Sequence, residues 1–321
     1  MPNKKNTRTP EHQNTTKKPE VIFLVGPTAV GKSQTAVQLA KKISAEIVSC
    51  DSMQIYKGMD IITSKPSSIL RKRIPHYLID VVTPAQEYNV SGYCQNALKS
   101  IKTILNRRRI PLFVGGTGLY MSILIDGIFQ AKPPDKNMRL RLYQEVKKYG
   151  SAYLYARLKK IDPEAASKIH PHDIKRIIRA LEVFETTGKP ISYLQKQRSG
   201  LSSKYDIKIF SLNMERKKLY KRIEARVEKM FAQGLCVEVK KLLKSRLSKT
   251  AACAIGIKEL KGYFDGLYDL EEAKRLMKRN SRLYAKRQLT WFRKDKRIKW
   301  INISGKEKPS RIAHRIWNEL S

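Results

Sequence analysis

The sequence is poor in cysteine and has no long apolar run. Its four cysteines are scattered along 321 residues without a C-x-x-C pair, which argues against a zinc site and gives no disulfide framework. No stretch approaches the roughly 18 apolar residues that a membrane span requires. Residues 1–19 are polar and lack the apolar segment of a signal peptide. We therefore expect a cytoplasmic protein without membrane contact, and a disordered basic tail over residues 1–19.

Acidic residues are also scarce. The chain has 28 Asp and Glu against 66 Lys and Arg, which gives a net charge of +38. Such an excess repels itself in a compact state unless an anionic partner is close. Nucleic acid is the favoured partner, with an anionic membrane surface or a generally basic proteome as the alternatives.

Apolar runs alternate with helical patterns in the first part of the chain. The runs lie at 20–25, 45–51, 76–82 and 110–116, and a helical pattern at 92–107 precedes the last of them. Strands that alternate with helices predict an α/β fold with a parallel sheet covered on both faces.

The alternation then gives way to helical patterns alone. A K-P-P-D break at 132–135 precedes them, with Asp135 as a candidate N-cap, and Gly188 is a candidate helix end. A strand pattern returns at 206–212, so the helical part is predicted to be an all-helical insertion in the α/β core. Later helical patterns lie at about 215–233, 235–245 and 271–294. The predicted domains are the tail over 1–19, the core over 20–130 and 205–321, and the inserted domain over 131–204.

The segment G-P-T-A-V-G-K-S follows the first apolar run and has the spacing of a P-loop. Its glycines let backbone N–H groups converge on phosphate oxygens, and the helix behind it adds its positive end. Lys32 neutralises the outer phosphate, and the Ser33 hydroxyl typically ligates Mg²⁺. The predicted diphosphate-binding residues are Gly26, Pro27, Thr28, Ala29, Val30, Gly31, Lys32 and Ser33.

Other parts of a nucleotide hydrolase are missing. Such an enzyme usually has a strand that ends in an Asp supporting Mg²⁺, whereas the run at 110–116 ends in glycines. Asp80 follows only a short apolar run and is interpreted as structural. The G-G-T-G stretch at 115–118 lacks the spacing of a dinucleotide loop. The pattern thus predicts a phosphate site and leaves open what the phosphate is attached to.

Asp51 directly follows the second apolar run. Ligands of an open parallel sheet bind at the carboxyl ends of its strands, so Asp51 should face the same crevice as the P-loop. A carboxylate there can ligate a metal, act as a general base or cap the next helix. The residues alone leave these three roles open.

The segment from Lys274 to Lys299 contains twelve Lys or Arg and one acid. Leu276 and Leu283 are seven residues apart, which allows a buried edge beside a basic face. Tyr284, Trp291 and Phe292 are interleaved with the charges, a pattern suited to phosphate contacts and base stacking in RNA. The candidate phosphate contacts are Arg282, Lys286, Arg287 and Arg293, and a smaller basic face is formed by Lys175, Arg176 and Arg179.

Eight segments together resemble bacterial tRNA dimethylallyltransferases, also called tRNA isopentenyltransferases, over roughly residues 20 to 304. In chain order they are GPTAVGKS, SCDSMQIYKGMDI, IPHYLID, IPLFVGGTGLY, HPHDIKRIIRALEV, KRIEARVEKM, GIKEL and AKRQLTWFRKD. The resemblance implies a P-loop NTPase-like core with an inserted helical domain. It also implies transfer of a dimethylallyl group from dimethylallyl diphosphate to N6 of the adenine at position 37 of tRNA, with Mg²⁺ as cofactor. The implied partner is the anticodon stem-loop, bound by a monomer.

Roles carried over by position are those that the resemblance implies. Asp51 corresponds to the general base, Thr117 to a threonine at the breaking bond, and Arg226 to an arginine that reaches the diphosphate; Mg²⁺ is expected near Ser33. The implied tRNA-contacting positions are Asp51, Ser52, Met53, Gln54, Thr117, Arg139, Lys175, Arg176, Ile177, Ile178, Arg179, Cys253, Ala254, Ile255, Gly256, Ile257, Lys258, Lys286, Arg287, Gln288, Leu289, Thr290, Trp291, Phe292 and Arg293.

Two departures and two rival functions accompany this interpretation. Ile257 stands where many relatives have Tyr, and the zinc finger of eukaryotic members is absent. From the residues alone, a P-loop nucleoside or RNA kinase and a non-enzymatic RNA-binding P-loop protein remain alternatives. Turnover of ATP would indicate the kinase, and tight tRNA binding without product would indicate the binding protein.

Overall fold

A single parallel sheet forms the centre of the molecule. The computed structural model describes residues 18–129 and 135–320, and within these ranges six strands pair in the order β3-β2-β4-β1-β5-β6. Every pairing is parallel, which confirms the predicted sheet. The strands are β1 Glu20–Val25, β2 Ala45–Cys50, β3 His76–Tyr77, β4 Ile110–Gly115, β5 Asp206–Met214 and β6 Lys299–Ile303.

Helices cover both faces of the sheet because its central strands are apolar on both sides. One face packs against α1 and α13, and the other against α3 and α4. In the described part of the chain the helices are α1 Lys32–Lys42, α2 Ser68–Arg73, α3 Val90–Asn106, α4 Gly118–Asp126, α5 Lys136–Ile161, α6 Pro163–Lys168, α7 Ile174–Thr187, α8 Ile191–Lys196, α9 Arg216–Ala232, α10 Leu235–Leu243, α11 Ile257–Phe264, α12 Leu270–Phe292 and α13 Pro309–Asn318.

The predicted strand over 76–82 is much shorter than its apolar run. Pairing stops at Tyr77 because Leu78 and Asp80 have positive φ angles of 60° and 58°, a conformation that a strand does not contain. The carboxylate of Asp80 instead pairs with Lys65 at 2.6 Å and Arg71 at 2.7 Å. These ion pairs support the structural interpretation of Asp80.

Helices α5 to α8 pack around an apolar core of their own. The Asp135 side chain accepts hydrogen bonds from the first turn of α5, and Gly188 ends α7 with a left-handed φ of 69°, so both predicted helix ends are confirmed. At the junction with the sheet domain, a Cβ atom on Gly127 would lie 2.5 Å from the backbone of Ser199. The two connections to α5–α8 therefore approach each other closely.

Two predictions fall outside the described residues: most of the basic tail, 1–17, and most of the break at 132–135. Among the described helices, none is long and apolar enough to cross a membrane. Five elements of the described chain lie in segments for which no element was predicted: α2, α4, α11, β6 and α13. They have ten residues or fewer, and α13 is identified mainly by packing against α1, which is far away in the sequence.

Candidate active site

The P-loop connects β1 to α1 at the carboxyl end of the sheet. Its backbone is unusual at three positions, since Gly26, Ala29 and Gly31 have φ angles of 136°, 62° and 108°. Glycine at position 26 is required twice over, because a Cβ atom there would also lie 2.9 Å from the Leu212 carbonyl oxygen. The Lys32 ammonium donates to the carbonyl oxygens of Gly26 at 2.8 Å and Pro27 at 2.7 Å.

A cavity of about 380 Å³ opens over this loop. It brings together three residues that the sequence predicts for the chemistry: Lys32, Ser33 and Asp51. Arg226, from the middle of α9, is a fourth. The P-loop, the end of β2 and a helix from the second half of the chain thus meet at one site. The lining of this cavity confirms the expectation that Asp51 and the P-loop share one crevice at the carboxyl ends of the strands.

Sequence reasoning missed several residues of this cavity, among them two cations and a tyrosine. Arg222 and Lys229 lie one turn before and about one turn after Arg226, and Tyr284 reaches the cavity from α12. The spacing 222, 226 and 229 places these cations on one face of α9. That spacing is visible in the sequence, but the helix carries other Lys and Arg, and only the packing shows which face points inward.

Burial changes the acidity of the P-loop lysine. The pKa of Lys32 is lowered to about 7, mainly by burial and further by the positive charge of Arg226, while the charge of Asp51 opposes the shift. A bound diphosphate would add negative charge and stabilise the protonated amine.

Asp51 lies at the point where β2 ends and lines the same cavity as the P-loop and Arg226. Its Oδ1 atom accepts a hydrogen bond of 2.9 Å from the Met53 amide, a local turn of the Asx type. The helix-cap role considered for Asp51 is wrong, because the next helix is α2, which Ser67 caps. The carboxylate faces the cavity instead.

Thr117 lies on the turn between β4 and α4 and contacts the residues on either side of Asp51, but it is not among the residues that line the cavity. Its hydroxyl oxygen accepts from the Ser52 amide at 3.1 Å, and its backbone amide donates to the Cys50 carbonyl at 3.2 Å. The same hydroxyl is 3.4 Å from the Ser52 hydroxyl. These bonds fix Thr117 beside the residues that follow β2.

Arg226 is held by two hydroxyl groups. Its Nη1 donates to Thr28 Oγ1 at 2.9 Å, and its Nε donates to Ser64 Oγ at 2.8 Å. Burial lowers the pKa of Arg226, an effect that the nearby Asp51 opposes, and a guanidinium remains protonated at neutral pH despite such a shift. Arg226 therefore presents a fixed positive charge next to the P-loop.

A second cavity of about 310 Å³ adjoins the first. The two share Thr28, Asp51, Arg226 and Tyr284 in their linings. The second is more apolar, with side chains such as Met53, Ile62, Ile223, Val227, Met230 and Met277. Burial is the main cause of a raised pKa of Tyr284, so its hydroxyl stays protonated at the junction. Asp51 thus lies between a cationic cavity and an apolar one.

The basic face of α12 is exposed, but not all its predicted members are. Lys286, Arg287, Thr290, Trp291 and Arg293 reach solvent, whereas Gln288 and Phe292 are buried and Leu289 is partly buried. Arg282 differs from the expectation, because it pairs with Glu224 at 2.6 Å. Leu283 is 43 % exposed, so the predicted Leu276–Leu283 edge is wrong. The buried edge is instead formed by Ala273, Met277, Ala285, Gln288 and Phe292.

The predicted tRNA positions on the helical domain also divide into exposed and buried residues. Lys175 and Arg176 are exposed, while Ile177 and Ile178 are buried in the core of α5–α8. Those two buried side chains hold α7 in the core, with Lys175 and Arg176 exposed on the same helix. Arg139 and Arg179 both pair with the buried Glu182, at 2.9 and 2.8 Å.

The first three residues of the segment 253–258 line the second cavity. Cys253 and Lys258 are exposed, and the buried members are Ala254, Gly256 and Ile257. Ile257 begins α11 and packs in an apolar cluster with residues of α10 and α12. An apolar residue at this position therefore stabilises the wall of the cavity.

The glycines of the G-G-T-G stretch permit close packing. A Cβ atom on Gly115 would lie 1.9 Å from the Cys50 carbonyl oxygen, and one on Gly118 would lie 2.2 Å from the Trp291 ring. The stretch therefore lets β2 pack against the end of β4 and α12 against the start of α4, in agreement with the rejection of a dinucleotide loop.

The described residues contain no group of three or more His, Cys, Asp or Glu side chains suited to a metal. The lining of the cavity includes one carboxylate, Asp51, and several hydroxyl groups, of which that of Ser33 directly follows the P-loop lysine. That small set of hard oxygen donors fits Mg²⁺, which keeps several waters and takes other ligands from substrate phosphates.

Comparison with known proteins agrees with this geometry. The sequence model of the family described as "IPP transferase" matches residues 54–295, and that of "Isopentenyl transferase" matches residues 19–80. The chain belongs to the IPP transferase family. The family resemblance inferred from the sequence is thereby confirmed.

Individual relatives of the IPP transferase family match over nearly the whole chain. Proteins named tRNA dimethylallyltransferase are similar to it in Halothermothrix orenii, at 50% identity over 88% of both chains, and in Carboxydothermus hydrogenoformans, at 48% identity over 94% of this chain and 97% of the relative. The full-length tRNA isopentenylpyrophosphate transferase of Bacillus halodurans is similar in structure, with a TM-score of 0.69 and 40% identity over 94% of this chain and 96% of that one.

A eukaryotic dimethylallyltransferase acting on tRNA superimposes with a TM-score of 0.80 at 29% identity, covering 94% of this chain and 79% of that one. These structural neighbours confirm the predicted fold class: a P-loop NTPase-like α/β core with inserted helices.

Proposed function

We propose that this protein transfers a dimethylallyl group from dimethylallyl diphosphate to N6 of the adenine at position 37 of tRNA and releases diphosphate. The observation that supports this most is the position of Asp51 between two cavities. One is lined by the cations that a diphosphate requires, and the other by apolar side chains. The names of the relatives match this reaction, and none of them supports the kinase or the non-enzymatic binding protein.

The carboxylate of Asp51 acts as the general base in this proposal. The N6 nitrogen attacks the allylic carbon, the carbon–oxygen bond to the diphosphate breaks, and a proton passes from N6 to Asp51. The Met53 amide bonded to Oδ1 keeps the carboxylate oriented toward the base. Extrusion of the base from the anticodon loop would bring N6 to this point.

Positive charge around the P-loop stabilises the leaving diphosphate. The adenine amino group is a weak nucleophile, so catalysis depends on orientation and on charge placed where negative charge grows. Lys32, Arg226 and the amides before α1 provide that charge. In this proposal the Thr117 hydroxyl, which accepts a hydrogen bond from the Ser52 amide, would donate to the oxygen of the breaking bond.

A bound Mg²⁺ would neutralise part of the charge on the diphosphate as it leaves. Ser33 is the proposed protein ligand, with Asp51 nearby on the same cavity wall.

The exposed residues of α12 and α7 form the proposed tRNA surface. Lys286, Arg287 and Arg293 would contact phosphates, and Trp291, 40 % exposed, would stack on a base. Residues 51–53 and 253–255 line the second cavity, which the base would enter, and Gln54 lines the first. Arg139 and Arg179 remain proposed contacts through their outward surfaces. We propose that one chain binds the anticodon stem-loop as a monomer.

The direct test is incubation of tRNA with dimethylallyl diphosphate and Mg²⁺, followed by nucleoside analysis. We expect dimethylallyladenosine at position 37, in an amount equal to the diphosphate released. Hydrolysis of ATP that depends on tRNA, with no prenylated nucleoside, would contradict the proposal and favour the kinase.

A further inference from the structure

Gln288 lies on the buried side of α12, between the two loops that enclose the diphosphate cavity. Only 6 % of the residue is exposed, and both ends of its amide are bonded inside the protein. Its Oε1 atom accepts from the Thr28 amide at 2.9 Å, and its Nε2 donates to the Gly116 carbonyl at 2.9 Å. The side chain therefore connects the P-loop to the turn after β4.

Gln288 lines the diphosphate cavity, and its amide is also packed closely against the turn after β4. A Cβ atom on Gly116 would lie 2.1 Å from the Nε2 atom of Gln288. An alanine at 116 would therefore displace the amide from the Gly116 carbonyl.

Thr28 is held from two helices at once. Gln288 of α12 binds its backbone amide, and Arg226 of α9 binds its hydroxyl at 2.9 Å. The next residue, Ala29, has a left-handed φ of 62°, which a residue with a Cβ atom adopts only at an energetic cost. The two bonds to Thr28 hold the chain where this strained turn begins.

We propose that Gln288 is a positioning residue for the P-loop and does not contact tRNA. It fixes Thr28, so the amides that follow stay directed at the diphosphate. It also connects α12, which carries the basic surface, with the P-loop, which binds the donor. The identity of the donor rests on the proposed function, but the positioning of a diphosphate does not.

The test uses Gln288→Met, which keeps the length of the side chain and removes both hydrogen bonds. Binding of inorganic diphosphate with Mg²⁺ is measured by calorimetry on the full chain without tRNA, and binding of tRNA is measured separately. Loss of the two bonds leaves a buried amide unpaired, so diphosphate should bind about ten-fold more weakly. The tRNA Kd should stay within about two-fold, because Gln288 is buried.

Ile104→Ala serves as the control for stability. Ile104 is fully buried against the sheet on α3, and its replacement should lower the melting temperature without changing the diphosphate Kd. If Gln288→Met lowers the melting temperature and leaves the diphosphate Kd unchanged, Gln288 contributes to packing and does not position the P-loop. Weaker tRNA binding with unchanged diphosphate binding would make it a tRNA contact. Either result overturns the proposal, and neither depends on whether the wild-type chain transfers a prenyl group.

Discussion

Replacing Asp51 by Asn keeps the shape of the side chain and removes its capacity to accept a proton. The Asn oxygen can still accept from the Met53 amide, so the local turn should persist. We expect kcat for prenyl transfer to fall by roughly 10²–10⁴, with small changes in the Kd values of tRNA and donor. Single-turnover kinetics and the melting temperature are measured together. Near-normal turnover at an unchanged melting temperature would transfer the base role to the diphosphate itself.

The lowered pKa of Lys32 predicts that the protein takes up a proton when it binds diphosphate. Its pKa of about 7 in the free protein leaves the amine largely neutral at about pH 8, and the charge of the diphosphate restores the proton. The affinity for dimethylallyl diphosphate should therefore fall as pH rises from about 7 to 9, because the terminal phosphate of this ester, with a pKa of about 6, is already ionised there. Calorimetry in two buffers of different ionisation enthalpy measures the uptake.

The control for this prediction is Lys32→Arg, whose guanidinium stays charged over the whole pH range. We expect the uptake to disappear in this variant, and an unchanged uptake would assign the proton to another group.

The contribution of Lys32 to the free energy of unfolding changes with pH in the opposite direction to its contribution to diphosphate affinity. Its folded pKa lies below the unfolded value, so the unfolded chain holds more protons between pH 7 and the ordinary lysine pKa of 10.5. Over that window this group increases the free energy of unfolding as pH rises.

At the scale of single elements, α12 combines a buried edge with an exposed basic face. Each exposed cation that contacts a tRNA phosphate contributes about one unit to the slope of log K against log salt. Lys286→Gln and Arg293→Gln should therefore each reduce the slope by roughly one. The assay is tRNA binding at several salt concentrations.

Arg282→Gln is the matched control on the same helix. Arg282 pairs with Glu224 at 2.6 Å, so its loss should leave the slope unchanged. A slope that responds equally to all three substitutions would indicate a diffuse attraction by the net charge. No response to any of them would place the tRNA surface elsewhere.

The elements near the P-loop were predictable because their signals are local. The strand, the glycine-rich turn and the following helix are adjacent in sequence, and so are β2 and Asp51. Arg222, Lys229 and Tyr284 were missed because they reach the cavity from helices about 200 to 250 residues further along the chain. Leu283 was misplaced for a related reason: a seven-residue spacing fixes a helix face, but only packing decides whether that face is buried.

At the scale of the whole molecule, the inserted helices and the sheet domain have separate apolar cores. The core of α5–α8 includes Leu142, Leu154 and Leu181, and shares no residue with the clusters of the sheet. The two connections come together at Gly127 and Ser199, and the Ser202 hydroxyl bonds the Ile125 carbonyl at 2.9 Å. The two connecting segments are therefore held together by contacts of the sheet domain itself, without help from the inserted helices.

Replacing residues 130–197 by a short Gly-Ser linker tests this division. Short flexible linkers span such closely spaced ends at little entropic cost, and the P-loop, Asp51, Arg226 and Gln288 all lie outside the deleted range. We expect the shortened protein to unfold cooperatively and to bind diphosphate with Mg²⁺ within about two-fold of the full chain, since no contact to the cavity is lost. Prenylation of tRNA should fall by at least about 10²-fold, because correct placement of the base depends on the lost helices. Retained turnover would show that the sheet domain alone holds the anticodon loop. Loss of diphosphate binding in a folded protein would show that the insertion shapes the P-loop, which the separate cores argue against.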